Sequence, residues 1–502
     1  GSIMSNLSDL LPSGSGGKTA DFVASGTLPN GKPVILNSNG TVTAVSEVTV
    51  IGNNIPSGSE AVFRSAAILD ASTSIAFDPN TANKFVIAYA GSGNYGTAVV
   101  GTVSGTSISF GSEYVFNSVA NSNYTSVAFD PNTANKFVVS FRNGNTLGSA
   151  VIGTVSGTSI SYGALATFNA GFTFWTSVAF DPNTANKFVV VYTDSGNGSS
   201  ATACVGTVSG TTISFGAEYV IQGDAKYTKI SFDPDTANKF VVVYRDSANS
   251  YGGSIKVGTV SGTAISFGSA VSVTASKVID TSISFDPNTT NKFAVAYVDS
   301  DNLSYGKAVV GTVSGTSASF GSAVVFNSAT TIDTYIAYDP NTANKFAVAY
   351  VDSNNSGYGT AVVGTVSGTS ISYSSAYVFN AADSADTVAA FDPSTAGNVA
   401  FAYRDSGNSG YGTAILGQVN VNVIGTNLTS TNFVGITDAA ISSAATGTVT
   451  IKGGISANVT SLTPAAIYYV QGDGTISTVT TAPAVRIGQA LSSTSINLEF
   501  TA

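Results

Sequence analysis

Acid–base and nucleophilic chemistry finds little to work with in this sequence. The 502 residues contain no histidine, so neither a Ser-His-Asp or Cys-His arrangement nor a histidine-held metal can be assembled. Glycoside cleavage needs two carboxyl groups in one place, whereas Glu60, Glu113 and Glu218 fall at the same point of three similar segments and mark a repeated structural slot. Arg142, Arg245 and Arg404 also share one repeat position and are spread over different copies. Cys204 is the single cysteine, which excludes an internal disulfide, and its setting among small and apolar residues reads as core. No catalytic residue is expected.

Metal and ligand binding need a closer look. Five loops carry Asp followed by Ser, at Asp194, Asp246, Asp299, Asp352 and Asp405. Calcium wants six to eight oxygens, and one carboxylate per loop suits the capping of a tight turn better. Asp299 with Asp301 is the richest pair, and the place where Ca2+ would bind if any loop held it; no other cofactor is expected. Phe172, Phe174 and Trp175 form the one dense aromatic group, with Tyr124 and Tyr227 on neighbouring copies. Such rings stack on sugar faces for roughly 0.5–1.5 kcal/mol each, by analogy with ring pairs, so single sites are weak and many copies displayed together compensate through avidity. Tyr95, Tyr251, Tyr305, Tyr358 and Tyr411, each before a Gly, recur too regularly to be a site and read as structural.

A repeat positions all of these residues. An Asp-Pro step recurs at Asp78, Asp130, Asp181, Asp233, Asp286, Asp339 and Asp392, 51 to 53 residues apart, and self-similarity at that period, in units of four short strands, marks propeller blades. In the second copy, strand A runs from Thr125 to Phe129 and stops at Asp130-Pro131. Strand B is Lys136 to Phe141, strand C Gly148 to Val155, and a Ser156-Gly157 turn returns the chain as one strand D over Ser159 to Phe168. The A–B turns (NTANK) and C–D turns (VSGT) are nearly uniform, while the D–A connections differ in every copy: Asn117 to Tyr124, Asn169 to Trp175, Gln222 to Tyr227, Thr274 to Asp280, Asn327 to Asp333 and Asn380 to Asp386. One face is therefore uniform and the other individual, which is where binding loops sit on a rigid scaffold.

The seventh copy supplies strands A to C near Thr387 to Phe391, Asn398 to Tyr403 and Gly412 to Val419, but no strand D. Ile55 to Phe63 matches the missing strand, so the chain's beginning is expected to close a seven-bladed ring and remove its sheet edges. The expected division is a cloning remnant and arm over 1–13, an N-terminal β segment over 14–46 with hairpins at Asn30-Gly31 and Asn39-Gly40, the propeller over 47–420, and a C-terminal small β domain over 421–502 that combines with the N-terminal segment. Net charge is −10 with no basic run, which argues against nucleic acid. No apolar run approaches the ~20 residues of a membrane span, and the start lacks the features of a secretory signal.

The opening MSNLSDLLPSGSGGKTADFVASGTLPNGKPVILNSNGTVTAV resembles that of virion structural and tail-fibre-like proteins of marine and cyanobacterial tailed phages, and LTPAAIYYVQGDGTIST followed by VRIGQALSSTSINLEF is similar to a module near their C-termini. The resemblance covers about 120 residues and implies a virion protein made in the host cytoplasm, with other virion proteins as partners and a homo-oligomeric state in the particle. Joined to the propeller, it points to a non-enzymatic fibre protein that binds a host-surface glycan or receptor. The alternatives are a structural or decoration protein without receptor binding, and a bacterial adhesin.

Overall fold

The computed structural model describes residues 18–52, 58–119, 121–144, 146–419, 421–480 and 484–499. The remnant and arm over 1–13, and the Ile55-Pro56-Ser57 start of the expected closing strand, lie outside the described residues. The chain is all-β and divides into two units, residues 1–52 with 422–502 and residues 53–421.

In the larger unit every repeat builds an antiparallel sheet in the order A-B-C-D. In the second, A is Asn123–Phe129, B Lys136–Asn143 and C Leu147–Ser156. Strand D is not the single run expected. It splits into Ser159–Tyr162 and Ala166–Asn169, both paired with C, because three residues between them cross two on C and force a bulge. Two of the D–A connections are not loops either: Val271–Phe285 and Tyr377–Phe391 run unbroken from D of one repeat into A of the next. In the seventh repeat C is Tyr411–Gln418, and its outer neighbour is Ala61–Ala67, aligned by Gly412↔Arg64 and Thr413↔Val62.

Two repeated details explain the uniform motifs. The glycine of each GTVSGT lies under the first Phe of strand B: a Cβ on Gly101, Gly153, Gly206, Gly258, Gly311 or Gly364 would come within 2.1 to 2.3 Å of the ring of Phe85, Phe137, Phe188, Phe240, Phe293 or Phe346. Those rings are fully buried and have nowhere to go. Gly206→Ala is therefore expected to lower stability by about 1–3 kcal/mol through overpacking, read as a lower denaturant midpoint at unchanged slope.

The Asp-Pro aspartates, read from sequence as turn-formers, do more. Asp78, Asp181 and Asp286 accept from the turn N–H of the next repeat's Asn135, Asn238 and Asn344 at 2.8 to 3.0 Å, and Asn80, Asn132, Asn183, Asn288 and Asn341 donate to backbone carbonyls of the following Asp-Pro step. Uniform turns are stitches between repeats.

The smaller unit interleaves both chain ends in one five-stranded sheet: Thr19–Val23, Thr446–Ile451, Phe433–Thr437, Pro33–Leu36 and Val42–Ala44. A second sheet is built from 455–498, and Ile35, Phe433, Ile436, Tyr468, Val470 and Ile487 share one core. The Asn39-Gly40 hairpin forms between Pro33–Leu36 and Val42–Ala44. No hairpin forms at Asn30-Gly31, since the strands on either side pair with C-terminal strands instead. Glu47–Gly52 pairs with Val421–Thr426, which draws residues 47–52, expected in the propeller, into this unit.

Candidate functional site: a cavity lined by the strand A bulges

Six residues before each Asp-Pro aspartate, strand A of the second to seventh repeats bulges. Tyr124, Trp175, Tyr227, Asp280, Asp333 and Asp386 hold φ between 47° and 56° there, with a shift of register at each place. A left-handed non-glycine residue costs on the order of 1–2 kcal/mol, and a bulge re-aims a side chain. In the first repeat the left-handed residue is Ala71. Strand A was expected to start one residue later, at Thr125, so this position went unread as a unit, although every D–A connection ends on it.

Five residues before each Asp-Pro aspartate stands a threonine in all seven repeats: Thr73, Thr125, Thr176, Thr228, Thr281, Thr334 and Thr387. Thr125 Oγ1 donates to the carbonyl of Ser72 in the preceding repeat. Thr176, Thr228, Thr281 and Thr387 do the same to Tyr124, Trp175, Tyr227 and Asp333, at 2.5 to 2.7 Å. These bonds hold the bulges in register, and they leave the bulge side chains facing a common cavity of about 410 Å³ whose lining comes from all seven repeats.

One side of the cavity is aromatic. Trp175 lies between Tyr227, 4.8 Å from ring to ring, and Tyr124 at 5.8 Å, with Phe174 behind at 5.5 Å. Arg142 stacks over Tyr124 and Phe174 at 4.9 and 5.0 Å, and Arg245 over Tyr227 at 5.0 Å.

The other side is acidic and chained. Asp280 accepts the N–H of Asp333 (3.2 Å), Asp333 that of Asp386 (2.7 Å), and Asp386 those of Ser72 and Thr73 in the first repeat (2.9 and 2.6 Å). Burial, and then the charges of Asp280 and Asp386, push the Asp333 carboxyl up to about 7. Burial also raises Asp280 and Asp386. It lowers Lys229, which lies in the fields of Asp386 and Asp280.

Of the aromatic residues singled out from sequence, Tyr124, Trp175 and Tyr227 line the cavity, Phe174 backs them, and Phe172 stands apart at 53% exposed. Asp280, Asp333, Asp386 and Lys229 were missed; the change from three aromatic residues to three Asp at one repeat position was the signal.

The remaining candidates have structural partners. Glu60, Glu113 and Glu218 accept from the hydroxyls of Tyr403, Tyr89 and Tyr192 at 2.7 to 3.0 Å. Arg404 pairs with Asp70 at 3.1 Å. Asp299 accepts from Lys307 Nζ and Asp301 from the N–H of Lys277, both at 2.7 Å, and no group of three or more metal-ligating side chains occurs among the described residues. Asp194, Asp246, Asp352 and Asp405 cap short helical turns. Cys204 is buried, and burial pushes its thiol up.

No family model matches the chain, and no curated protein matches it. Among solved structures the BP39L lectin from Burkholderia pseudomallei superimposes with a TM-score of 0.54 at 12% identity, over 71% of this chain and 99% of that one. Weaker likenesses are a mutant of AofleA from Arthrobotrys oligospora (TM-score 0.44, 9% identity, 68% and 92% covered) and Sqt1 from Chaetomium thermophilum (0.45, 14%, 69% and 83%). The fold is thus all-β, an array of repeated sheets with a lectin of β-propeller type among its structural relatives.

Proposed function

We propose that the 53–421 unit is a closed, seven-bladed propeller that binds host-surface glycan through its axial cavity, displayed on a virion fibre without enzymatic activity. Closure is supported by three contacts between the last and first repeats: Ala61–Ala67 on Tyr411–Gln418, the Asp386 carboxylate on the N–H groups of Ser72 and Thr73, and Asn83 N–H on Ser394 Oγ at 3.1 Å. The observation that carries the binding function is the Tyr124–Trp175–Tyr227 arc facing carboxylates across a cavity of about 410 Å³. Aromatic faces take the C–H face of a sugar, and carboxylates accept from its hydroxyls. A lectin of the same fold accords with this use of it. The virion setting rests on the terminal segments and their phage resemblance.

Trp175→Ala is expected to weaken adsorption to host cells, and binding on a glycan array, at least tenfold while the melting temperature moves by only a few degrees. Unchanged binding by the folded variant would place the site elsewhere. Asn132 on the opposite face is a poor control because it stitches two repeats; exposed Ser156 at the C–D turn is better, and Ser156→Ala should bind as the parent does. No reducing ends should be released from host polysaccharide, and their protein-dependent appearance would overturn the non-enzymatic assignment.

A further inference from the structure

The aromatic and acidic halves of the cavity offer more polar contacts than a neutral sugar requires. Asp70, Asp280, Asp333 and Asp386 lie on the lining, and Lys229 is its one basic side chain among the described residues. Asp70 is engaged by Arg404, but the three bulge carboxylates are bound through backbone N–H groups and have no guanidinium partner among the described residues. A carboxylate accepts several hydrogen bonds, so acceptor capacity remains towards the cavity.

The rings differ in the same sense. The faces of Tyr124 and Tyr227 are taken by Arg142 and Arg245, whereas Trp175, the strongest cation-binding ring of the three, carries no cation among the described residues. Thr334 adds an independent sign of a missing partner. It is 6% exposed, lines the cavity beside Asp333 in the same repeat, and its hydroxyl has no hydrogen-bond partner among the described residues, unlike those of Thr125, Thr176, Thr228, Thr281 and Thr387. Buried hydroxyls are rarely left so.

We propose that the axial cavity selects glycans bearing a free amine, an amino sugar whose ammonium lies between the Trp175 face and the Asp280–Asp333–Asp386 arc while a ring hydroxyl pairs with Thr334. This rests on the glycan-binding reading above. A primary ammonium has three N–H donors for the carboxylates, and Trp175 meets both the cation and the sugar's C–H face.

The test is calorimetric titration of the full chain at pH 6, where the amine is protonated and its binding should displace the proton held by Asp333, with a glucosamine tetramer and its N-acetylated counterpart. The expected result is at least tenfold tighter binding of the free amine, loss of that preference in the Asp280→Asn, Asp333→Asn double variant, and loss of both ligands in Trp175→Ala. Each variant is first checked for a parental melting curve. Equal binding of the two tetramers would overturn the amine selectivity and leave glycan binding standing. Choline bound as tightly as the amine tetramer would keep the cation-binding pocket and overturn the sugar, and binding of neither tetramer would overturn both readings.

Discussion

Phe63→Asp should abolish the cooperative melt of the 53–421 unit and drive aggregation. Phe63 is 6% exposed and packs 5.0 Å from Tyr89 and 5.7 Å from Phe110, both in the first repeat, while its ring lies against Gly412 of the seventh. It is the place where the two ends of the repeat array meet. Truncating such a ring to Ala costs about 3–5 kcal/mol, and a buried carboxylate without a partner costs more, which together approach the whole stability of a typical domain. Losing the strand also uncovers the ladder edge of Tyr411–Gln418, an invitation to edge-to-edge pairing. The measurement is thermal unfolding followed by circular dichroism with light scattering. A parental transition without aggregation would show that the seam is dispensable and the closed-ring proposal wrong.

Stability is also expected to fall as pH rises from about 4 to 8, and Asp333→Asn should remove the Asp333 share of that slope, with Asp280 and Asp386, also raised by burial, keeping the rest. The Asp333 carboxyl moves from an ordinary 3.8 to about 7, chiefly through burial and then through Asp280 and Asp386, with Asp70 contributing in the same direction. Below 3.8 both folded and unfolded chains carry the proton, and the native state bears no penalty. Above it the unfolded chain ionises freely while the native chain resists, so stability is lost as pH climbs through about 7. A tenfold difference in proton affinity between the two states corresponds to about 1.4 kcal/mol; an effective interior dielectric of about 20 reduces the full sum, and about 2 kcal/mol is the expected loss by pH 8. Asn can still accept the Asp386 N–H, so the variant should exceed the parent at pH 8 and match it near pH 4. Denaturation curves that stay parallel across this range would refute the assignment.

Much of the array was legible because its signals are local. Asp-Pro stops, Ser-Gly turns and β-branched runs located strands A, B and C of the repeat to within two residues. The match of the N-terminal segment to a missing strand led to the pairing seen between Ala61–Ala67 and Tyr411–Gln418. The illegible parts are imposed from outside each segment. Nothing in Tyr124 or Trp175 favours a left-handed backbone; the threonine of the following repeat, bonding to that carbonyl, holds it there. Strand D breaks where a glycine meets the neighbouring turn, as Gly163 does with Thr211, and Asn30-Gly31 fails as a hairpin because strands from the far end of the chain compete for its flanks. The aromatic half of the cavity stood out by composition, while its acidic half was concealed among aspartates that elsewhere only cap turns.

The stitches between repeats have a direction. Asp78 accepts from the second repeat, never the reverse, and Thr176, Asn132 and Asp333 each join unlike surfaces of successive units. Contacts of that kind are head-to-tail: a stack made of them always ends in one unsatisfied head and one unsatisfied tail, and it either curls back on itself or goes on growing. In the closed ring proposed above, the pairing of Ala61–Ala67 with Tyr411–Gln418 would let a single chain satisfy both ends. A chain carrying fewer copies would keep both ends open, each complementary to the other on a second molecule, so copy number here governs not the size of a monomer but whether the product is one molecule or a polymer.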